Sequence, residues 1–306
     1  MKIPIHKLVS VVRGKKPTRF PYCNCLLFED RTRAIIETAT EIPVLQEIES
    51  EKVDLVLNSH AHLDHMHGNW AFPNARIGLH TESAPLARSK EVYGDSFILD
   101  LWKKLMPLPL NILIPFDRPQ DALEIRDSRI VQYPESRVDF TLEDGEELDL
   151  GKVKLRVIHA PGHCRGHCCF FWEAEGILFS SDIDFTGGGP WYGNGTADLG
   201  DFLKSIDMLV DLSPRITVPA HGRVIEGNLA EPARRFAEHI HRREETILEK
   251  LDRPRTLDEL EDLKMFHEVR LHLIFHFWEK VMILKHLDRM VQMGVVVQEG
   301  DLYYKA

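Results

Sequence analysis

Apolar positions in the first part of the chain come in short β-rich runs rather than in helical stripes. Residues 3–12, 24–28 and Ala34-Ile35-Ile36-Glu37 predict opening strands joined by short turns. Pro43 stands where a first helical turn would begin, and Val44, Leu45 and Ile48 give that helix one apolar stripe. Val53-Asp54-Leu55-Val56-Leu57 is a short apolar run ending at Asn58-Ser59. Further along, Thr141 to Glu146 places an Asp-Gly turn between two strands, and Val153 to Ile158 alternates with period two. Strands are also expected over 176–180 and 216–218. Between them Asp198 caps an amphipathic helix with apolar residues at 199, 202, 203, 206 and 209.

Two stretches break this rhythm. From about Thr81 to Val138 the periodicity loosens around Pro85, Pro107, Pro109, Pro115, Pro119 and Pro134, which reads as an insertion. Its Leu101-Trp102 and Leu105–Leu113 groups predict a lid or helical wall, or else a satellite core under a long loop. After Glu231 the texture becomes charged helix from Arg234 to Lys250, a capping box from Thr256 to Glu259, and a helix over 275–290. Gly294 to Tyr304 then reads as a hairpin turning at Gly300-Asp301. Helices followed by such a hairpin suggest a winged-helix appendage, so the expected division is 1–230 and 231–306.

Composition narrows the class. With 306 residues and 43% hydrophobic, the chain can fill one large domain and a smaller one. A net charge of −10 argues against a general nucleic-acid coat. The first twenty residues carry Lys2, Lys7, Arg13, Lys15 and Lys16 without a long apolar run between them, and no run of about eighteen apolar residues follows. The expectation is a cytoplasmic protein without a membrane span. Five cysteines, Cys23, Cys25, Cys164, Cys168 and Cys169, do not describe a disulfide framework, and their spacing fits no common four-cysteine metal site. They read as small buried strand residues.

The chemistry is concentrated in Ser59-His60-Ala61-His62-Leu63-Asp64-His65-Met66-His67, directly after an apolar strand. Imidazole nitrogen and carboxylate oxygen suit Zn²⁺ and neighbouring first-row metals, and a His-x-His-x-Asp-His spacing lets one loop supply two adjacent ions. Three later strands also deliver a His or Asp at the carboxyl end, where α/β folds usually place chemistry: His163 after Pro161-Gly162, Asp182 after Ser181, and His221 before Gly222. A phosphate-cradling role for Gly187-Gly188-Gly189 lacks the lysine and following helix it would need.

These pieces, in order from about residue 24 to 225, resemble the metallo-β-lactamase superfamily. The resemblance implies an α/β fold, a four-layer αββα sandwich. It implies one metal on His60, His62 and His163, a second on Asp64, His65 and His221, and Asp182 bridging both. Asp182 stands where the thiolate-using lactamases carry Cys, and His62 where flavodiiron proteins carry Glu, so the pattern is closer to glyoxalase II-like hydrolases. Phe185 replaces the Tyr that lactonases place three residues after the bridging Asp. Ile35-Ile36-Glu37-Thr38-Ala39 departs from apolar-Asp-Thr-Gly and leaves Glu37 a supporting role. His67 replaces a usual Gly and falls outside the ligand set, lining the pocket or facing solvent. The tail resembles the winged-helix extension of a branch that includes a single-strand endoribonuclease. From Glu231 onward, however, 13 Lys+Arg against 15 Asp+Glu make no basic recognition face, and packing on the catalytic domain or in a homo-oligomer is expected.

The resemblance implies a dinuclear hydrolase with two divalent ions, zinc before iron or manganese, and hydroxide as nucleophile. It also implies that Asp64 and Asp182 are the catalytic carboxylates. A small-molecule acyl substrate, foremost a thioester, is the first expectation. Phosphodiester cleavage of single-stranded RNA and a single-iron persulfide dioxygenase-like activity are the alternatives.

Overall fold

A computed structural model of the chain describes residues 1–16, 18–106, 135–265 and 273–306. Its strands form two large sheets. In the first, β1 (Lys2–His6), β2 (Val9–Val12), β3 (Cys25–Glu29) and β4 (Arg33–Ile36) run antiparallel. β5 (Leu55–Leu57), β6 (Arg76–His80) and β7 (Phe140–Leu142) then continue from β4 in parallel. The second sheet is ordered β13-β12-β11-β10-β9-β8. Its strands are β8 (Glu147–Asp149), β9 (Lys154–His159), β10 (Cys168–Trp172), β11 (Ile177–Ser181), β12 (Ile216–Pro219) and β13 (Ile225–Glu226).

Period-two alternation assigns each face of the second sheet. Leu155, Val157, Cys168, Phe170, Trp172, Ile177 and Phe179 enter the core shared with Phe28, Ile35 and Val56 of the first sheet. Ile158, Cys169, Phe171 and Leu178 point the other way, onto Phe202, Ile206 and Leu209 of the Leu199–Asp211 helix. The helix forms as its pattern predicts, with the Asp198 carboxylate accepting from the Asp201 amide at 2.9 Å. Fully burying side chains such as Phe170 and Phe179 is worth about 1.5–3 kcal/mol each. This is the mixed α/β sandwich expected.

The Asp144-Gly145 turn links two strands, but they belong to different sheets: β7 closes the first and β8 opens the second. Gly145, at φ +76°, makes that corner.

The insertion opens with helices at Ala84–Arg88, Lys90–Gly94 and Asp100–Leu105, so this part is helical. Trp102 and Met106 are buried against Phe277 and Val281 of the Leu273–Gln292 helix. The rest of the Leu105–Leu113 group lies outside the described residues. The Ala230–Lys250 helix starts in the core through Ala233 and Phe236, and ends in a separate cluster where Ile247 and Leu251 meet Leu260, Ile283, Leu287, Val296 and Tyr303. Thr256 and Glu259 form the expected capping box. β14 (Val296–Glu299) and β15 (Leu302–Lys305) make the closing hairpin. No helix among the described residues is long and apolar enough to cross a membrane.

Candidate metal centre

Four strand ends converge on one cluster of imidazoles and carboxylates. After β5 the chain runs through His60 and His62 into the short Leu63–Met66 helix, which carries Asp64 and His65. After β9 the Pro161-Gly162 turn presents His163. Gly162 has φ +129°, and a Cβ there would lie 2.2 Å from Phe202 Cα, so only glycine lets this turn pack on the helix. β11 ends at Ser181, with Asp182 next, and β12 leads to His221.

All seven expected residues meet here. His60, His62, His163 and Asp182 form one group and Asp64, His65 and His221 another, the ligand atoms of each lying within 4.8 Å of one another. Asp182 faces both. Its Oδ2 is 3.1 Å from His163 Nε2, while Oδ1 is 3.1 Å from His65 Nε2 and 3.5 Å from His221 Nε2. Asp64 Oδ2 lies 3.4 Å from His221 Nε2.

The proton inventory fits divalent cations. His163 Nδ1 donates to the Trp191 carbonyl at 3.0 Å, which leaves its Nε2 a lone pair. That lone pair faces His62 Nδ1 at 3.0 Å, where it accepts a hydrogen bond when His62 carries its proton on Nδ1 and is open to a shared cation when it does not. His60 Nε2 is buried and makes no hydrogen bond, although buried polar atoms ordinarily do, and His65 Nε2 and Asp182 Oδ1 are buried with their mutual 3.1 Å approach as an ion pair. Burial pushes the His60 and His62 imidazoles well below their usual pKa, keeping them neutral donors. Burial acts the same way on His65 and His221. There the adjoining carboxylates, Asp182 foremost, outweigh it, raising His65 well above its ordinary value and His221 to about 9. The carboxylates thus draw positive charge to this spot, and a cation competes with protons for it.

Residues 19–221 match the family model described as metallo-beta-lactamase superfamily. The chain belongs to this superfamily. It is 31% identical over 133 residues to the acyl-coenzyme A thioesterase MBLAC2 of Bos taurus, covering 44% of this chain and 42% of that protein. It is 34% identical over 117 residues to the atrochrysone carboxyl ACP thioesterase AgnL7 of Paecilomyces divaricatus, covering 37% and 35%. The chain thus spans less than half the length of these curated relatives. The fold likeness is broader. A metallo-beta-lactamase family protein of Thermus thermophilus superposes with TM-score 0.75 at 24% identity, covering 99% of this chain and 100% of that one. A beta-lactamase domain protein of Burkholderia ambifaria gives 0.71 at 19%, covering 100% and 93%.

Around this superfamily centre stand further residues, of which His167 and Trp191 were not singled out in the sequence. His167 donates from Nδ1 to the Ala160 carbonyl at 2.9 Å and accepts the Asp182 amide on Nε2 at 3.2 Å. Its spacing from His163 is the one sequence signal that could have pointed to it. Ser59 Oγ lies 2.8 Å from His60 Nδ1 and 2.6 Å from Ser181 Oγ. Trp191 sets its ring against His62 and His163, with centroids 5.9 and 5.6 Å away. Glu37, fully buried, accepts from the Ser59 amide at 3.1 Å and Asn58 Nδ2 at 3.2 Å, and its Oε1 is 3.2 Å from His65 Nδ1. His67 is buried, its Nδ1 donating to the Leu63 carbonyl at 3.1 Å, so of the two expectations for it the solvent-facing one fails. Phe185 packs on Phe236 at 5.5 Å between centroids. Burial pushes the Cys164 thiol far up, which suits a structural cysteine and no attacking thiolate.

Proposed function

We propose that this protein is a dinuclear metal-dependent hydrolase of thioesters. The observation that carries the reading is Asp182, whose two oxygens face two separate ligand groups. In this reading His60, His62 and His163 would hold one ion and Asp64, His65 and His221 the other, with Asp182 shared between them. Bound divalent cations supply a polarising charge for a carbonyl oxygen and lower the pKa of water toward about 7. The chain fixes the geometry for this chemistry. His167 and Glu37 orient Asp182 and His65, while Trp191 closes one side of the centre.

Two relatives whose names state thioester hydrolysis support the acyl substrate. Zinc is the proposed metal on the nitrogen-rich donor set. Residues 231–306 are proposed as a winged-helix-like domain after a catalytic domain of 1–230. Five buried free cysteines favour a reducing, cytoplasmic setting. The test is a panel of acyl thioesters, lactones and single-stranded RNA, assayed with metal-stripped and zinc-restored protein. Thioester cleavage that disappears with the metal and returns with it supports the reading. Thioester cleavage retained by metal-free protein, or restored protein that cleaves only RNA, overturns it.

A further inference from the structure

We propose that Tyr192, Arg243 and His286 are positioning residues for His163, holding the peptide whose carbonyl orients its ring. The carbonyl of Trp191 and the amide of Tyr192 share one planar peptide unit. Where Tyr192 is fixed, the acceptor of His163 Nδ1 is therefore fixed too.

Tyr192 is fully buried, and its hydroxyl is gripped from two helices. Arg243 Nη1, from the Ala230–Lys250 helix, donates to it at 2.9 Å. A guanidinium only donates, so the hydroxyl accepts there and turns its own hydrogen to His286 Nε2, 2.6 Å away on the Leu273–Gln292 helix. The His286 proton then sits on Nδ1, facing Glu244 Oε1 at 3.6 Å, and Arg289 clasps both Glu244 oxygens at 2.6 and 2.7 Å. Arg243 also holds the carbonyls of Pro190 at 3.1 Å and Gly188 at 3.2 Å. Two carbonyls and one side chain of the 188–192 segment are thus tied to the C-terminal helices, while the Trp191 carbonyl accepts the hydrogen bond from His163 Nδ1. The chain of donors runs one way, from Arg243 through Tyr192 to His286. Breaking it frees the Trp191 carbonyl to turn, and His163 with it.

The inference rests on His163 being a metal ligand, so the experiment reads metal rather than turnover. Metal-stripped wild type, Tyr192→Phe, Arg243→Lys and His163→Ala are titrated with cobalt(II), following both affinity and the visible ligand-field spectrum. Leu260→Ala serves as a control that loosens the C-terminal cluster without touching the chain of donors. In Tyr192→Phe, the ion that His163→Ala loses should bind about 10–100-fold more weakly, the usual effect of losing a partner behind a ligand. The second ion should be unchanged. Arg243→Lys keeps the charge and loses the fork, so it should show the same selective loss and serves if Tyr192→Phe does not fold. Leu260→Ala should lower the melting temperature with both affinities intact. Equal weakening of both ions, or unchanged affinity in a folded Tyr192→Phe or Arg243→Lys, overturns the proposal. Wild type that binds no cobalt overturns the metal reading itself, and this proposal with it.

Discussion

His167 holds Asp182 by its main chain, accepting the Asp182 amide on Nε2 while its own Nδ1 proton is committed to Ala160. The ring is therefore a rigid strut between β10 and the end of β11, and Asp182 inherits its direction. His167→Ala should reduce hydrolytic turnover by about 10–100-fold, as loss of supporting partners usually does. Steady-state kinetics beside metal analysis checks it, and an unchanged kcat would refute the strut.

Glu37 answers two buried donors at once. Glu37→Ala leaves the buried Ser59 amide unmet, a cost of about 1–3 kcal/mol, while Asn58 Nδ2 keeps the His65 carbonyl at 3.2 Å. Denaturant unfolding should show that loss, with Glu37→Gln falling between the two because one carbonyl oxygen remains.

Gly162 tests how closely the sheet and helix approach behind His163. Positive φ alone costs a non-glycine residue about 1–3 kcal/mol, and Gly162→Ala adds a contact with the Phe202 backbone. The variant should lose more than about 3 kcal/mol by thermal or chemical unfolding. Gly187, with open space around its Cβ position, should accept alanine with little change.

Asp64 and His65 separate a two-ion hydrolase from a one-ion relative. Asp64→Asn and His65→Ala should each retain about one ion per chain and lose turnover by more than the 10–100-fold of an outer partner. Elemental analysis and kinetics on the same preparation decide it. Full activity with one ion would mean that the second group is not used.

His286 gives the fold a pH dependence of known sign. Burial lowers its pKa from the ordinary 6.5, so below that pH the unfolded chain takes up a proton that the folded chain refuses. This contribution to stability is complete above about pH 6.5 and is lost as pH falls beneath it, by at most about 1.4 kcal/mol per pH unit. Melting temperatures between pH 7.5 and 5.5 should show the decline, and His286→Gln should flatten it.

The convergence of seven ligand-type side chains was legible because each sits beside a strand end, and strand ends can be read from local alternation. What lies behind them was not. Trp191 is 28 residues from His163, and Arg243 is 51 from Tyr192, with no periodicity joining either pair. Glu37 was visible only as a departure from a pattern. The Asp144-Gly145 corner shows the same limit: turn residues specify a bend, while the partner of each strand depends on which face its side chains bury. The short helices over 84–105 were obscured by the prolines around them, which stop long helices yet permit short ones, as Pro85 does in the first turn of Ala84–Arg88.

The corner at Gly145 also sets an order of events. Everything before it contributes His60, His62, Asp64 and His65, and everything after it contributes His163, Asp182 and His221. A chain emerging from the ribosome therefore offers neither group complete until the second sheet has joined the first, and the second group waits for His221. Any ion held by either group would therefore clasp the two halves of the chain together across that corner.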